Sequence, residues 1–160
     1  MKNHFPLLKQ SDVVYLDNAA TTQRCKRGLD ASQKYYTTIN ANAHRSTHSL
    51  ARKTTEVLED SRKYIASYAG ATPKHTFFAK NATEGLNLLA NSLPYETVLI
   101  SDMEHHSNIL PWKDPTVINL HSEEESISTH VNEHTDIVSI THMSNVTGKI
   151  LDVERIAAEV

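Results

Sequence analysis

Short runs of continuous apolar residues alternate along this chain with longer stretches whose apolar residues recur every three or four positions, which predicts strands exchanging with helices. Val13-Val14-Tyr15-Leu16, closed by Asp17-Asn18, predicts a small strand entering a turn. After Thr21-Thr22 the spacing of Leu29, Gln33 and Tyr36 predicts a weakly amphipathic helix. A long helix is predicted from about Ser49 to Ala69, with Leu50, Val57, Leu58, Ile65 and Tyr68 as its apolar stripe and Arg52, Lys53, Glu56, Glu59 and Lys63 opposite. Gly70 is placed to end it.

Thr76-Phe77-Phe78-Ala79 then predicts a buried strand, and Asn81-Ala82-Thr83-Glu84 opens a second helix through Leu86, Leu89 and Ala90. Further strands are expected at Thr97 to Ile100, Val117 to Leu120 and Ile137 to Ile140. Glu123-Glu124-Glu125 suggests an exposed loop or helix start. Asp152 is a good N-cap for a last helix carrying Val153, Ile156, Ala157 and Val160. Strands written as continuous apolar runs between helices indicate an α/β fold, a mostly parallel sheet with flanking helices.

A last crossover helix with no strand after it reads as an incomplete sheet, so the chain is expected to be truncated. Between Trp112 and the strand at Val117 there are too few residues for a crossover helix. Either that helix has been lost or the strand pairs antiparallel.

Composition narrows the classes. With 160 residues, 39% hydrophobic and 22% charged, the natural expectation is a soluble globular chain with one core. A formal net charge of -3, without any basic run, argues against a nucleic-acid partner. No apolar stretch approaches the ~20 residues that span a bilayer, and the N-terminus is too short in apolar length for a signal peptide. The single cysteine, Cys25, can form no internal disulfide, and the chain is read as cytoplasmic.

In open α/β sheets ligands bind beyond the carboxyl ends of the strands. Three polar groups stand at such places: Asn81-Ala82-Thr83-Glu84, Glu104-His105-His106 and Ser144-Asn145-Val146-Thr147-Gly148. The first offers backbone N–H groups and a Thr hydroxyl at a helix N-terminus, suited to a phosphate, although Thr83 could equally be only the helix cap. His105 presents a flat ring for stacking on an aromatic cofactor. Asn145 presents an amide for a phenolic oxygen.

Five segments then carry a resemblance. Tyr15 to Thr22 (YLDNAATT), Asn42 to His48 (NAHRSTH), Asn81 to Asn87 (NATEGLN), Met103 to Trp112 (MEHHSNILPW) and Thr141 to Gly148 (THMSNVTG) resemble, in order, motifs of class V aminotransferase-fold enzymes, closest to cysteine desulfurases and selenocysteine lyases. The resemblance implies the first half of the large domain of a fold-type-I enzyme that uses pyridoxal 5′-phosphate, with residues 1–160 lacking the C-terminal half and the small domain. It implies a homodimer that takes sulfur from L-cysteine, or selenium from selenocysteine, leaves alanine, and passes the sulfur to an acceptor protein, as in iron–sulfur cluster assembly. Ala82 and Thr83 would hold the cofactor phosphate. His105 would stack on the pyridine ring as the catalytic residue, and Asn145 would bond the ring's phenolic oxygen. His44 and Arg45 match a motif near the active-site mouth.

The family's Schiff-base Lys, pyridine-nitrogen Asp and persulfide Cys have no counterparts in this chain, and Cys25 is not expected to replace the last. Without them the chain is expected to be inactive. A non-catalytic remnant or partner-binding subunit of the same fold is therefore the alternative. A third reading follows from the 10 His: the pairs His44/His48 and His130/His134 have the spacing that puts two imidazoles on one helix face, as in a metal protein, but each pair lacks a third ligand, so no metal is assigned.

Overall fold

The structure is a computed structural model that describes residues 2–120 and 127–160. The expected loop or helix start at Glu123 to Glu125 lies outside the described residues. The chain divides into two compact units, 1–77 and 78–160, where composition suggested one core.

The first unit is helical. After a short turn α1 (Pro6–Lys9), α2 spans Lys26–Thr38 and α3 spans Ser49–Tyr68, the latter within one residue of its expected bounds. The start of α3 is capped by His48, whose ring nitrogen accepts the Ala51 N–H. Its end is a Schellman turn, in which Ala71 N–H reaches the Ala66 carbonyl (2.8 Å) and Gly70 N–H the Ser67 carbonyl (3.2 Å), with Gly70 at φ +69°. A side chain at Gly70 would meet no atom within 4 Å, so glycine is required here by backbone conformation and not by space.

The face of α3 that is buried differs from the expected stripe. Ala51, Thr54 and Ala66 are buried, Leu58 is half-buried, and Leu50, Val57, Ile65 and Tyr68 stay exposed. Small side chains allow close approach on that side, and Thr54 donates from its hydroxyl to the Ile39 carbonyl beyond α2.

Two expected strands are absent. Val13 to Leu16 is an unpaired extended segment with Leu16 86% exposed, and Tyr15 spends its hydroxyl on the Thr21 carbonyl (2.6 Å), pinning a loop. Phe77 and Phe78 lie in no strand and are not buried, at 56% and 45% exposure. A 3₁₀ turn at Pro73–His75 leads into this segment, and Arg62 Nη1 occupies the Thr76 carbonyl (2.7 Å), an acceptor that a sheet partner would need.

The second unit holds the sheet. The segments β1 (Val98–Ser101), β2 (Thr116–Ile118) and β3 (Ile137–Ser139) form a three-stranded parallel sheet in the order β2-β1-β3. The register sets Ile100 against Val117 and Leu99 against Val138. Parallel pairing at Val117 decides the open question about that strand: its crossover, residues 102–115, contains no α-helix and turns instead through a 3₁₀ segment at His106–Asn108.

Central β1 is buried throughout, as a continuous apolar run requires. Val98 and Ile100 pack with Trp112 on one face, covered by Leu86 and Ala90 of α4 (Ala82–Ser92). Leu99 packs on the other face with Met103, Ile118, Leu120, Ile127, Leu151 and Ile156, the last on α5 (Val153–Glu159). As expected, Asp152 caps α5, accepting the Arg155 N–H at 3.0 Å.

At the amino ends of the strands, Asp136 Oδ2 accepts the N–H groups of Glu96 (2.7 Å) and Thr97 (3.0 Å). The Glu96 N–H, then that of Thr97, holds this carboxyl below its ordinary value, with the charge of His134 adding a little and desolvation opposing. A depressed carboxylate contributes stability above its unfolded pKa of about 3.9 and loses it as pH falls through the lowered folded value. Asp136→Asn should therefore lower stability at neutral pH and flatten the acid limb of an unfolding-versus-pH curve, which thermal melts between pH 2 and 7 would measure.

Candidate functional site

The carboxyl edge of the parallel sheet carries the polar segments that follow its strands. Because β1 and β3 run parallel as neighbours, the segments that follow them, 102–108 and 140–148, emerge at the same edge. Helix α4 joins this edge by topology. It packs on β1 and leads into it through only residues 93–97, so it must run antiparallel to the strand, with Ala82 and Thr83 toward the strand's carboxyl end. Contact between α4 and the 3₁₀ turn at His106–Asn108 agrees.

The start of α4 is capped by Asn81, not Thr83. Asn81 Oδ1 accepts the Glu84 N–H (2.9 Å), while Glu84 Oε2 reaches back to the Lys80 N–H (2.5 Å). This capping-box pattern, Asn81-x-x-Glu84, was visible in the sequence and is the signal that would have separated cap from site. With the cap supplied by Asn81, the Ala82 and Thr83 N–H groups have no intrahelical partner, and both residues are exposed. They form a donor set at the positive end of a helix.

His105 is exposed and caps the 3₁₀ turn. Its Nδ1 accepts the Ser107 N–H (3.1 Å) and lies 2.9 Å from the Ser107 hydroxyl, so in the neutral ring the proton sits on Nε2. His106 lies beside it, ring centroids 6.2 Å apart. Asn145 is exposed at the tip of a tight loop. That loop is held by Ser144 Oγ, which accepts the N–H groups of Val146 (3.3 Å) and Thr147 (3.2 Å), by Gly148 at φ +74°, and by the bridge between Met143 and Ile150.

Sequence reasoning missed the residues beneath these groups. Glu104 Oε1 accepts from Ser101 Oγ (2.5 Å) and Thr141 N–H (2.6 Å), and Oε2 accepts from Asn108 Nδ2 (2.7 Å). Asn108 Oδ1 in turn accepts from Trp112 Nε1 (3.0 Å) and Ser139 Oγ (2.7 Å).

His44 and Arg45 belong to the first unit. His44 adopts φ +67° at the centre of a tight turn closed by Arg45 N–H to the Ala43 carbonyl (2.9 Å), a strained conformation for a residue with a side chain. Its N–H donates to Thr55 Oγ1 (2.9 Å) and its Nε2 lies 3.4 Å from Glu59 Oε1. The helical premise of the His pairs fails, because His44 is in this turn, His48 is an N-cap, and His130 and His134 lie outside any α-helix. Among the described residues no three of His, Cys, Asp and Glu gather into a metal-binding set, and no helix is long and apolar enough to cross a membrane. Cys25 is exposed and free.

Residues 14–160 match the aminotransferase class-V family. The chain belongs to that family. It is 36% identical to a probable cysteine desulfurase of Streptomyces coelicolor and 33% identical to one of Synechocystis, covering 98% of this chain in each case and 44% and 43% of the relatives. It thus spans less than half the length of these relatives. The first alignment runs over 188 residues, so that relative has at least 28 residues within the aligned region for which this 160-residue chain has no counterpart.

Among solved structures, the apo cysteine desulfurase of Thermococcus onnurineus superposes with a TM-score of 0.83 at 29% identity, covering 99% of this chain and 43% of that one. A NifS-like protein gives 0.77 at 26% identity, covering 92% and 45%. A C-DES mutant with glycine covalently linked to its PLP cofactor gives 0.79 at 17% identity, covering 99% and 45%, which carries the fold alone. Together these show that the chain shares the fold of these proteins over nearly its whole length.

If Asn81 alone caps α4, Asn81→Ala should cost about 1 kcal/mol. Thr83→Ala should stay within about 0.5 kcal/mol, as for a surface substitution. Chemical denaturation of the two variants checks both values.

Proposed function

We propose that this chain is the N-terminal portion of a pyridoxal 5′-phosphate-dependent cysteine desulfurase, and that the carboxyl edge of its sheet supplies the phosphate and ring contacts of the cofactor site. The observation that carries the reading is the donor set left open at Ala82 and Thr83 by the Asn81 cap, on the same sheet edge as the segments bearing His105 and Asn145. The donor chemistry fits the group: N–H groups and a hydroxyl at a helix N-terminus suit a phosphate, an anchored imidazole suits a pyridine face, and a carboxamide suits a phenolic oxygen. Bound pyridoxal phosphate would supply the electron sink for bond changes at the substrate's α carbon.

In this reading Ala82 and Thr83 bind and orient the phosphate end. His105 covers the ring and, with its proton on Nε2, can hold or move a proton there. Asn145 fixes the ring's rotation. His44 and Arg45, in the first unit, keep the substrate-site role that the resemblance implies for them. The substrate is L-cysteine, or selenocysteine in the related lyase activity, with an acceptor protein for the sulfur.

The proposed assembly is a cytoplasmic homodimer of the complete protein. The exposed Val57, Tyr64, Ile65 and Tyr68 of α3 support a further covering surface. The helix-free crossover at 102–115 is the place we assign to residues that the relatives have and this chain does not.

Two lysines stand near the proposed site. Lys149 Nζ donates to the Leu120 carbonyl at 2.7 Å, and Lys80 lies at the phosphate end, just before the Asn81 cap. Neither is placed to serve as the family's Schiff-base lysine. Incubating the 160-residue chain with pyridoxal phosphate, reducing with borohydride and mapping adducts should therefore give no single stoichiometric adduct at either lysine and no cysteine-dependent sulfide. A single adduct at one of them, with sulfide release, would overturn that assignment.

In the complete enzyme, Thr83→Ala should weaken cofactor retention by about 1.5–3 kcal/mol, the loss of a charge-assisted bond, as read by dialysis against phosphate buffer. His105→Ala should lower turnover while leaving the melting temperature nearly unchanged.

A further inference from the structure

We propose that Glu104 is a positioning residue that fixes the orientation of the His105 ring and locks its segment to the loop bearing Asn145, acting through a hydrogen-bonded clasp with Asn108. The proposal rests on the reading of this edge as a cofactor site for its consequence, but not for its geometry.

Every atom of the clasp has a fixed sense. An indole N–H can only donate, so Trp112 identifies the Asn108 atom it faces as oxygen, and the amide nitrogen must point toward Glu104 Oε2 (2.7 Å) and the Ser139 carbonyl (3.3 Å). Glu104 meets donors alone: the Ser101 hydroxyl, the Thr141 N–H and the Asn108 amide. Ser101, Asn108 and Trp112 are buried, and Glu104 is half-buried. No buried side-chain nitrogen or oxygen among the described residues lacks a partner. A polar network satisfied in this way rigidifies what it spans.

The clasp spans two things that matter. The Glu104–Asn108 bond encloses His105, His106 and Ser107, the turn in which Ser107 N–H meets His105 Nδ1; the Asn108 N–H also closes on the His105 carbonyl at 2.7 Å. The bond from Thr141 N–H to Glu104 Oε1 joins the segment after β1 to the segment after β3, four residues before Asn145. One carboxylate therefore sets both the tilt of the imidazole and its register with the amide.

Glu104→Gln preserves size but must set an NH₂ against a donor, whichever way it turns. The double variant Glu104→Gln with Asn108→Asp reverses the bond's direction and keeps an oxygen facing Trp112 and Ser139 Oγ; its one unfavourable change is an acceptor set against the Ser139 carbonyl, where the amide made a long contact of 3.3 Å.

Long-range ¹⁵N–¹H spectra of the ¹⁵N-labelled protein, taken where His105 is neutral, should show the Nε2-protonated tautomer in the wild type. They should show a tautomer mixture in Glu104→Gln and return to a single tautomer in the double variant. Ile118→Val, a core change elsewhere in the unit, should leave the ring signal unchanged. An unchanged ring in Glu104→Gln, or an equal change in Ile118→Val, overturns the proposal.

The second arm measures binding of pyridoxine 5′-phosphate, which lacks the aldehyde and needs no lysine. Glu104→Gln should weaken binding about tenfold, the worth of a net hydrogen bond or slightly more, yet add nothing in a background that carries both His105→Ala and Asn145→Ala. A loss that persists without both side chains would mean Glu104 acts as a structural residue only. If Thr83→Ala and His105→Ala both leave pyridoxine 5′-phosphate binding unchanged, the cofactor reading falls, and the ring spectra still decide the role of Glu104.

Discussion

The parallel pairing of β1 between β2 and β3 is the constraint on which the rest of the second unit depends. A buried central strand must be apolar on both faces, and Val98, Leu99 and Ile100 meet that demand. Parallel neighbours send all following segments out at one edge. The segments after β1 and β3 are therefore neighbours there, and the apolar clusters on the two faces hold the edge in place.

That edge is organised in two layers. The outer layer consists of groups free to meet a ligand: the Ala82 and Thr83 N–H groups, the His105 ring and the Asn145 amide. The inner layer is the Glu104–Asn108–Trp112 network, whose members spend their hydrogen bonds on one another and on the ends of β1 and β3. The same division appears at α4, where Asn81 and Glu84 satisfy the backbone locally so that the next two donors remain open. Membership of the class-V aminotransferase family gives this arrangement a chemical direction, and the inner layer ties the ends of β1 and β3 together beneath it.

The sheet strands were legible as uninterrupted apolar runs, and α3 was legible because the length of its helical pattern and its terminal glycine agreed. Phe77-Phe78 misled for a physical reason: a short apolar run says nothing about whether a neighbouring strand is present to pair with it, and here Arg62 takes one of its backbone acceptors. The α3 stripe misled because burial followed the small side chains of Ala51, Thr54 and Ala66 and not the large ones. At the carboxyl edge, topology and resemblance point to the exposed Thr83, His105 and Asn145. Glu104 and Asn108 were not legible in this way, since their partners Ser139 and Thr141 lie 31 and 37 residues away in sequence and only the fold brings them together.

The proposed cofactor site joins the start of α4, His105 and Asn145 into one. Its most direct test is a titration of the ¹⁵N-labelled protein with pyridoxine 5′-phosphate, following the Ala82 and Thr83 amides, the His105 ring and the Asn145 side-chain amide in the same spectra. A single site predicts that all four respond with one shared dissociation constant and that inorganic phosphate shifts only the Ala82 and Thr83 signals. Independent affinities for the four groups, or shifts confined to Ala82 and Thr83 with both ligands, would contradict it.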